Sequence, residues 1–158
     1  MNRGRTQHGF SLIELLIVVA IIGIIAAIAI PNLLASRRAA NEASAISATR
    51  SLSSVEETYR TTAGAGQRYA SLADLKAGRL IDEALGSADT AATAKSGYIY
   101  KITLTAADSY YCAGAAPTSD SAGTRNFSTD MPGVIYVHAL DAANPPTSTA
   151  GGSPLNAQ

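Results

Sequence analysis

Few residues in this 158-residue chain have the types and spacing that chemistry requires. The chain has two histidines, His8 and His138, and a single cysteine, Cys112. One cysteine cannot form a disulfide within the chain, and two histidines and one cysteine make a metal site of the Cys/His kind unexpected. His138 and Cys112 both fall in predicted strands, where a packed structural side chain is the simpler interpretation. We therefore predict no catalytic residues and no enzyme activity.

Three aspartates in the C-terminal part of the chain, Asp120, Asp130 and Asp141, are candidate calcium ligands. Calcium takes about six to eight oxygen ligands from convergent groups, whereas these aspartates are well separated and lack a D-x-D pattern. We expect no metal and no other cofactor, with calcium as the alternative. The twelve basic and twelve acidic side chains balance, which does not indicate nucleic-acid binding through bulk charge.

Glu14 is the charged residue that most needs an explanation, because it lies in a long apolar segment. Residues 15–30 are sixteen consecutive residues without a polar side chain, and back to Phe10 only Ser11 and Glu14 interrupt the pattern. A helix over residues 10–30 would span about 31 Å, close to the hydrocarbon thickness of a bilayer. The segment is apolar all round rather than along one stripe, so it must lie in lipid or inside an assembly.

Three interpretations of this segment compete. The first is a secretory signal peptide, with Arg3 and Arg5 at its start and Ala-Ile-Ala at residues 27–29 as the cleavage site. The second is a plain membrane anchor for an external binding domain. A carboxylate in an apolar segment costs several kcal/mol unless it has a partner, and neither interpretation explains Glu14. The third assigns that carboxylate a function.

The segment reads Gly9-Phe10-Ser11-Leu12-Ile13-Glu14 and then continues apolar to Pro31. It resembles the prepilin signature of type IV pilins and type II secretion pseudopilins, in which a membrane peptidase cleaves after the glycine and methylates the new N-terminal phenylalanine. The resemblance implies a leader peptide over residues 1–9, cleavage between Gly9 and Phe10, and N-methylphenylalanine at Phe10. It also implies that Glu14 and Pro31 act in assembly.

The charge of Glu14 agrees with this resemblance. Leader removal leaves a cationic amine on Phe10 in apolar surroundings, and a carboxylate on the same helix face or on a neighbouring subunit can neutralise it. Buried charges are tolerated when they are paired. The resemblance implies that Glu14 pairs with the terminal amine of an adjacent subunit. The alternative is that its side chain extends to the membrane interface.

One long helix is predicted to have two different halves. Residues 10–31 form the transmembrane or filament-core half, and residues 32–63 form an amphipathic half. The apolar stripe of the second half recurs every three or four residues, at Ala45, Ala48, Leu52, Val55 and Tyr59. Pro31 is expected to remove one backbone hydrogen bond and kink the helix, and Gly64 and Gly66 are expected to end it.

The remaining chain predicts a small sheet domain. Residues 64–97 form a loop with a short helix that opens at the capping box of Ser71 and Asp74. Residues 98–140 form an antiparallel sheet of three or four strands, and residues 141–158 form a flexible tail. The predicted strands are residues 98–105, 109–113, 125–129 and 134–139. The fold class is α+β, with the long helical spine packed on the sheet.

The resemblance implies a structural subunit that polymerises into a type IV pilus filament for adhesion, motility or uptake. The alternative is a type II secretion pseudopilin that forms a periplasmic pseudopilus for protein export. The implied partners are further copies of the chain, the prepilin peptidase and N-methyltransferase, the membrane, and an inner-membrane platform with its ATPase. The precursor is expected in the bacterial inner membrane, and the mature subunit in an extracellular pilus or periplasmic pseudopilus.

Two features qualify this expectation. Many pilins close a C-terminal loop with two cysteines, whereas Cys112 stands alone here. Removal of the leader subtracts Arg3 and Arg5 and leaves ten basic and twelve acidic side chains, so nucleic acid is not expected as a partner.

Overall fold

The computed structural model describes residues 10–105, 108–131 and 133–157. The chain forms two compact units, the first ending at Ser36 and the second beginning at Arg37. The elements are α1 (Leu12–Thr62), α2 (Leu72–Ala77), α3 (Glu83–Gly86), β1 (Tyr98–Leu104), β2 (Tyr111–Pro117), β3 (Asn126–Asp130), β4 (Ile135–His138), β5 (Ser153–Pro154) and a 3₁₀ turn (Leu155–Ala157). The predicted α+β class and the long N-terminal helix are confirmed.

Helix α1 ends where its sequence predicts. The amide of Gly64 donates to the carbonyl of Tyr59 at 2.8 Å, and the amide of Gly66 donates to that of Arg60 at 2.8 Å. These bonds satisfy carbonyls that the last helical turn would otherwise leave without donors. Gly66 has a φ of 77°, a conformation that suits glycine.

The predicted capping box opens α2. The Ser71 hydroxyl accepts a hydrogen bond from the Asp74 amide, and the Asp74 carboxylate accepts one from the Ser71 amide at 3.1 Å. Helix α3 was not predicted, because the small polar residues after Leu85 indicated a loop. Asp82 caps this four-residue helix by accepting a hydrogen bond from the Leu85 amide at 3.3 Å.

The sheet is antiparallel and has five strands in the order β1-β2-β3-β4-β5, one more than the upper predicted number. Strand β2 begins two residues later than predicted and continues four residues further, to Pro117. Its residues are buried at every position, so the alternation that reveals a half-exposed strand is absent from its sequence. The extra strand, β5, pairs with β4 and comes from the C-terminal tail.

The core of the second unit lies between α1 and one face of the sheet. Ala45, Ala48 and Leu52 from the predicted stripe are buried in it, and Val55 and Tyr59 pack against its edge. Aromatic side chains from the sheet and from the preceding loop fill the rest, including Tyr69, Tyr98, Tyr100, Tyr111 and Phe127. The Tyr69 and Tyr111 rings lie 4.8 Å apart between centroids, a favourable aromatic contact.

The segment predicted to be a flexible tail lies against the opposite face of the sheet. The Asn126 side-chain amide donates to the carbonyls of Asp141 at 3.0 Å and Asn144 at 3.1 Å. Gly114 in β2 lies so close to Pro146 that an added Cβ would meet the Pro146 backbone. The tail therefore packs on a face whose small residues are distant from it in sequence, which its own composition could not reveal.

A methyl group at Gly114 should weaken this packing. We expect Gly114→Ala to lower the unfolding free energy of the full chain in detergent micelles by about 1–3 kcal/mol, because the Cβ forces Pro146 away. Cys112, which is 1% exposed, should react faster with a thiol reagent. Gly23→Ala is the control, since nothing lies within 4 Å of its added Cβ. Unchanged stability and thiol reactivity in Gly114→Ala would contradict the tail packing.

Candidate functional site

The first half of α1 exposes an apolar surface. Sixteen large apolar side chains between Phe10 and Leu34 are at least 41% exposed. By length and composition, α1 is a helix that could cross a membrane. None of the 18 residues in its most apolar stretch is buried. Exposed apolar area of this extent marks a surface that is covered by lipid or by protein.

Phe10 and Glu14 lie at the N-terminal end of this helix, and Gly9 lies outside the described residues. Phe10 is 80% exposed and precedes the helix, which begins at Leu12. Glu14 lies in the first turn, where the helix dipole favours a carboxylate. None of the ion pairs among the described residues involves Glu14. Its charge is thus available to a cation from outside this part of the chain.

Pro31 lies inside α1, and the helix continues through it. Proline has no N–H, so the carbonyl of Ala27 loses its helical donor. One residue further on, the Asn32 side-chain amide donates to the carbonyl of Ile28 at 3.1 Å. This bond places a polar side chain against the helix backbone at the point where the regular pattern is interrupted.

Residues 4–30 match the family model of the prokaryotic N-terminal methylation motif, and this match includes Phe10 and Glu14. The chain is 66% identical over 38 residues to the type IV wide pilus major component PilA4 of Thermus thermophilus. This aligned stretch covers 24% of this chain and 29% of that protein. It is 35% identical over 57 residues to the type II secretion system core protein G of Pectobacterium carotovorum, covering 36% of each.

Core protein G of Vibrio cholerae is similar to the same degree, 35% over 60 residues, covering 38% of this chain and 41% of that protein. The chain thus spans less than half the length of the curated relatives it matches. No solved structure matches it. The predicted resemblance to type IV pilins and type II secretion pseudopilins is confirmed at the N-terminal segment.

Two glutamates that the sequence analysis did not single out lie on the buried face of α1 in the second unit. They complete a face with alternating spacings of three and four residues, formed by Glu42, Ala45, Thr49, Leu52, Glu56 and Tyr59. Glu42 is 7% exposed and Glu56 is 0% exposed. Their spacing from Ala45 and Leu52 places them on the same helix face, although charged residues are rarely buried.

Glu42 joins α1 to the segment that leads into β3. Its Oε1 accepts hydrogen bonds from the Thr124 amide at 2.8 Å and the Thr124 hydroxyl at 2.6 Å. Its Oε2 accepts hydrogen bonds from Arg125 Nε at 3.1 Å and Nη2 at 2.8 Å. Burial alone raises the pKa of Glu42, but the bonds from Thr124 and Arg125 together outweigh it and hold the pKa below 4.5.

Glu56 has a different environment. Its Oε2 accepts a hydrogen bond from the Ala70 amide at 2.9 Å, whereas its Oε1 is buried without a hydrogen-bond partner. Burial raises the pKa of Glu56 to about 7, against the Ala70 bond that lowers it, and the charge of Asp74 adds to the rise. The carboxyl is therefore anchored on one side only.

The aspartates considered for calcium do not form a ligand group. Asp130 Oδ2 accepts hydrogen bonds from the Tyr110 hydroxyl at 2.7 Å and the Thr149 hydroxyl at 2.9 Å. Asp120 lies in an exposed turn, and Asp141 lies in the tail. Among the residues that the structure describes, no three His, Cys, Asp or Glu side chains come together as a metal site.

His138 and Cys112 are packed as strand residues. Ser128 Oγ and His138 Nε2 lie 2.6 Å apart, but Ser128 is 0% exposed and Gly152 lies against the imidazole ring. Burial lowers the pKa of His138. Cys112 lies beneath Pro146, and burial raises the pKa of its thiol to about 11, which suppresses the reactive thiolate.

Removal of the Glu42 charge should weaken the second unit. We expect Glu42→Gln to lower the unfolding free energy by about 2 kcal/mol at pH 7, because charge-assisted bonds to Thr124 and Arg125 are lost. A lowered carboxyl pKa stabilises the folded state above pH 4.5, and this contribution is lost as the pH falls through the folded-state value. The difference between wild type and variant should therefore shrink below pH 4.5.

Chemical denaturation of the full chain in detergent micelles measures this difference. Glu57→Gln is the control, because Glu57 forms an exposed ion pair with Arg60 on the same helix. Equal effects of the Glu42 and Glu57 substitutions would contradict the role assigned to Glu42.

Proposed function

We propose that this chain is the precursor of a structural subunit that polymerises into a type IV pilus filament, which serves adhesion, motility or uptake. The observation that carries the proposal is the apolar surface of α1, which begins inside the methylation motif. Moving one large apolar side chain out of water contributes about 1.5–3 kcal/mol, so exposing all sixteen to water would cost some tens of kcal/mol.

A filament covers this surface with copies of itself. In the precursor, the helix lies in the inner membrane. The length of its apolar half matches the hydrocarbon thickness of the bilayer. During assembly, the helix exchanges lipid for the helices of neighbouring subunits. A contact that joins different faces of identical subunits generates a fibre when its rotation does not close into a ring.

Processing and charge pairing complete the proposal. A prepilin peptidase cleaves between Gly9 and Phe10 and methylates the amine of Phe10. Glu14 then pairs with the terminal amine of an adjacent subunit, which fixes the register of the incoming helix. The exposed position of Glu14 without an ion-pair partner in the described part of the chain supports this role. Pro31 interrupts the backbone bonding of the packed helix.

The second candidate is a pseudopilin that forms a periplasmic pseudopilus for protein export. Similarity to two type II secretion core proteins G extends over 57 and 60 residues, a larger share of the chain than the 38 residues similar to the pilus component. The modest size and the single cysteine also fit a pseudopilin. The wide separation of Asp120, Asp130 and Asp141 favours the pilin, because these residues do not form the dense acidic pattern of a calcium loop.

The proposed subunit performs no catalysis and needs no cofactor. Its partners are other copies of the chain, the processing enzyme, and an inner-membrane platform with its ATPase. The buried positions of Ser128 and Cys112 support a structural role, since neither side chain is accessible to a substrate.

The mass of the mature protein tests processing and location together. We expect protein sheared from cells to have the mass of residues 10–158 plus one methyl group, measured by intact-mass spectrometry. Processed protein that stays in the membrane fraction would favour the pseudopilin. A chain that starts at Ile30 would identify an ordinary signal peptide and overturn the filament proposal.

Substitution of Glu14 tests the pairing. We expect Glu14→Ala to reduce the subunit in the sheared filament fraction at least tenfold while membrane levels persist, because an unpaired amine in the core costs several kcal/mol. Glu57→Gln, a change at an exposed carboxylate in the other half of α1, should assemble normally. Normal assembly of Glu14→Ala would show that the carboxylate is not the partner of the amine.

A further inference from the structure

Glu56 lies where the segment after α1 returns to the helix. We call residues 69–75 the docking segment, because Tyr69, Ala70, Leu72 and Leu75 are all buried in the core. The Ala70 amide donates to Glu56 Oε2 at 2.9 Å, which is the hydrogen bond between this segment and α1. The Glu56 side chain therefore controls one of the points at which the segment attaches.

The attachment is poorly suited to a charged carboxylate. Glu56 is 0% exposed, and its Oε1 has no hydrogen-bond partner. No ion pair in the described part of the chain includes Glu56, and the nearby Arg60 pairs with Glu57. A buried carboxylate without a cation costs several kcal/mol, whereas the protonated acid costs much less.

The groups that face Glu56 do not offset this cost. Asp74 in α2 is a like charge, and its pKa is lowered by hydrogen bonds from Ser71, so it stays ionised above pH 5. Tyr69 and Tyr111 face it from the docking segment and from β2, and burial raises the pKa of both phenols, to about 12 for Tyr111. Between pH 5 and pH 8, Glu56 is thus the group in this cluster whose charge changes.

We propose that Glu56 is a proton-dependent latch, which holds the docking segment on α1 when protonated and loosens the segment when ionised. Burial raises the pKa of Glu56 from 4.5 to about 7, so the docked state keeps a proton that an open, hydrated state releases. Because the pKa of Glu56 is higher in the docked state, that state loses stability as the pH rises from 4.5 to 7. The loss levels off above pH 7.

The latch does not depend on the proposed filament, because all of its groups lie in the second unit. It gives this unit a response to pH in addition to a structural role, because the pKa of Glu56 lies near neutral pH. The docking segment would be held firmly in acidic surroundings and would open more often in alkaline ones.

Amide hydrogen exchange of the full chain in detergent micelles tests the latch. After correction for intrinsic exchange rates, we expect the protection of a peptide covering residues 69–78 to fall roughly fiftyfold between pH 5 and pH 8. Glu56→Gln keeps an oxygen acceptor for Ala70 but cannot ionise, so its protection should be nearly constant across this range. Glu57→Gln, at the adjacent exposed position, should retain the wild-type profile.

A reference peptide from the sheet separates a local latch from a change in global stability. At every pH from 5 to 8, residues 111–117 of β2 should be better protected than residues 69–78, because the docking segment opens while the sheet stays folded. Equal protection of the two peptides at every pH would show that the segment opens only when the whole unit unfolds and would overturn the latch, as would a Glu56→Gln profile that falls with pH as the wild-type profile does. If Glu56→Gln does not accumulate, the comparison of the two wild-type peptides still decides the question.

Discussion

The apolar surface of α1 between Phe10 and Leu34 is the constraint on which the behaviour of the first unit depends. Its side chains have no partner within the described chain, and water is an unfavourable solvent for all of them. Lipid and the same surface on other copies satisfy this constraint equally well, because both are apolar. The unit can therefore exchange one environment for the other, and under the proposed pairing the charge of Glu14 sets the register.

Two buried glutamates on the second half of α1 have pKa values shifted in opposite directions. Glu42 is stabilised in its ionised form by two hydrogen bonds from Arg125 and two from Thr124, so it attaches the segment before β3 to the helix. Glu56 has a single donor and an unpartnered oxygen, so its neutral form is favoured. The same residue type thus forms a connection that persists above pH 4.5 at one position and a connection that weakens as the pH rises at the other.

Local features could be predicted because the physics that produces them acts within a few residues. The capping box of Ser71 and Asp74, the end of α1 at Gly64 and the apolar stripe around Leu52 all depend on short spacings, and the structure has each of them. The methylation motif at Phe10 was found for the same reason. Elements with weak local signals were missed, such as the four-residue helix α3 and the extension of β2 to Pro117.

The amino-acid sequence alone determined that residues 10–30 are apolar all round, that one charge interrupts them, and that an amphipathic helix follows. Only the tertiary structure decided that the tail packs on the sheet, because its partner face, including Gly114, is about thirty residues away in the chain. It also decided that Glu42 has Arg125 within reach while Glu56 has no cation partner among the described residues. The free energy of a buried charge is set by what surrounds it in space, and sequence spacing does not carry that information.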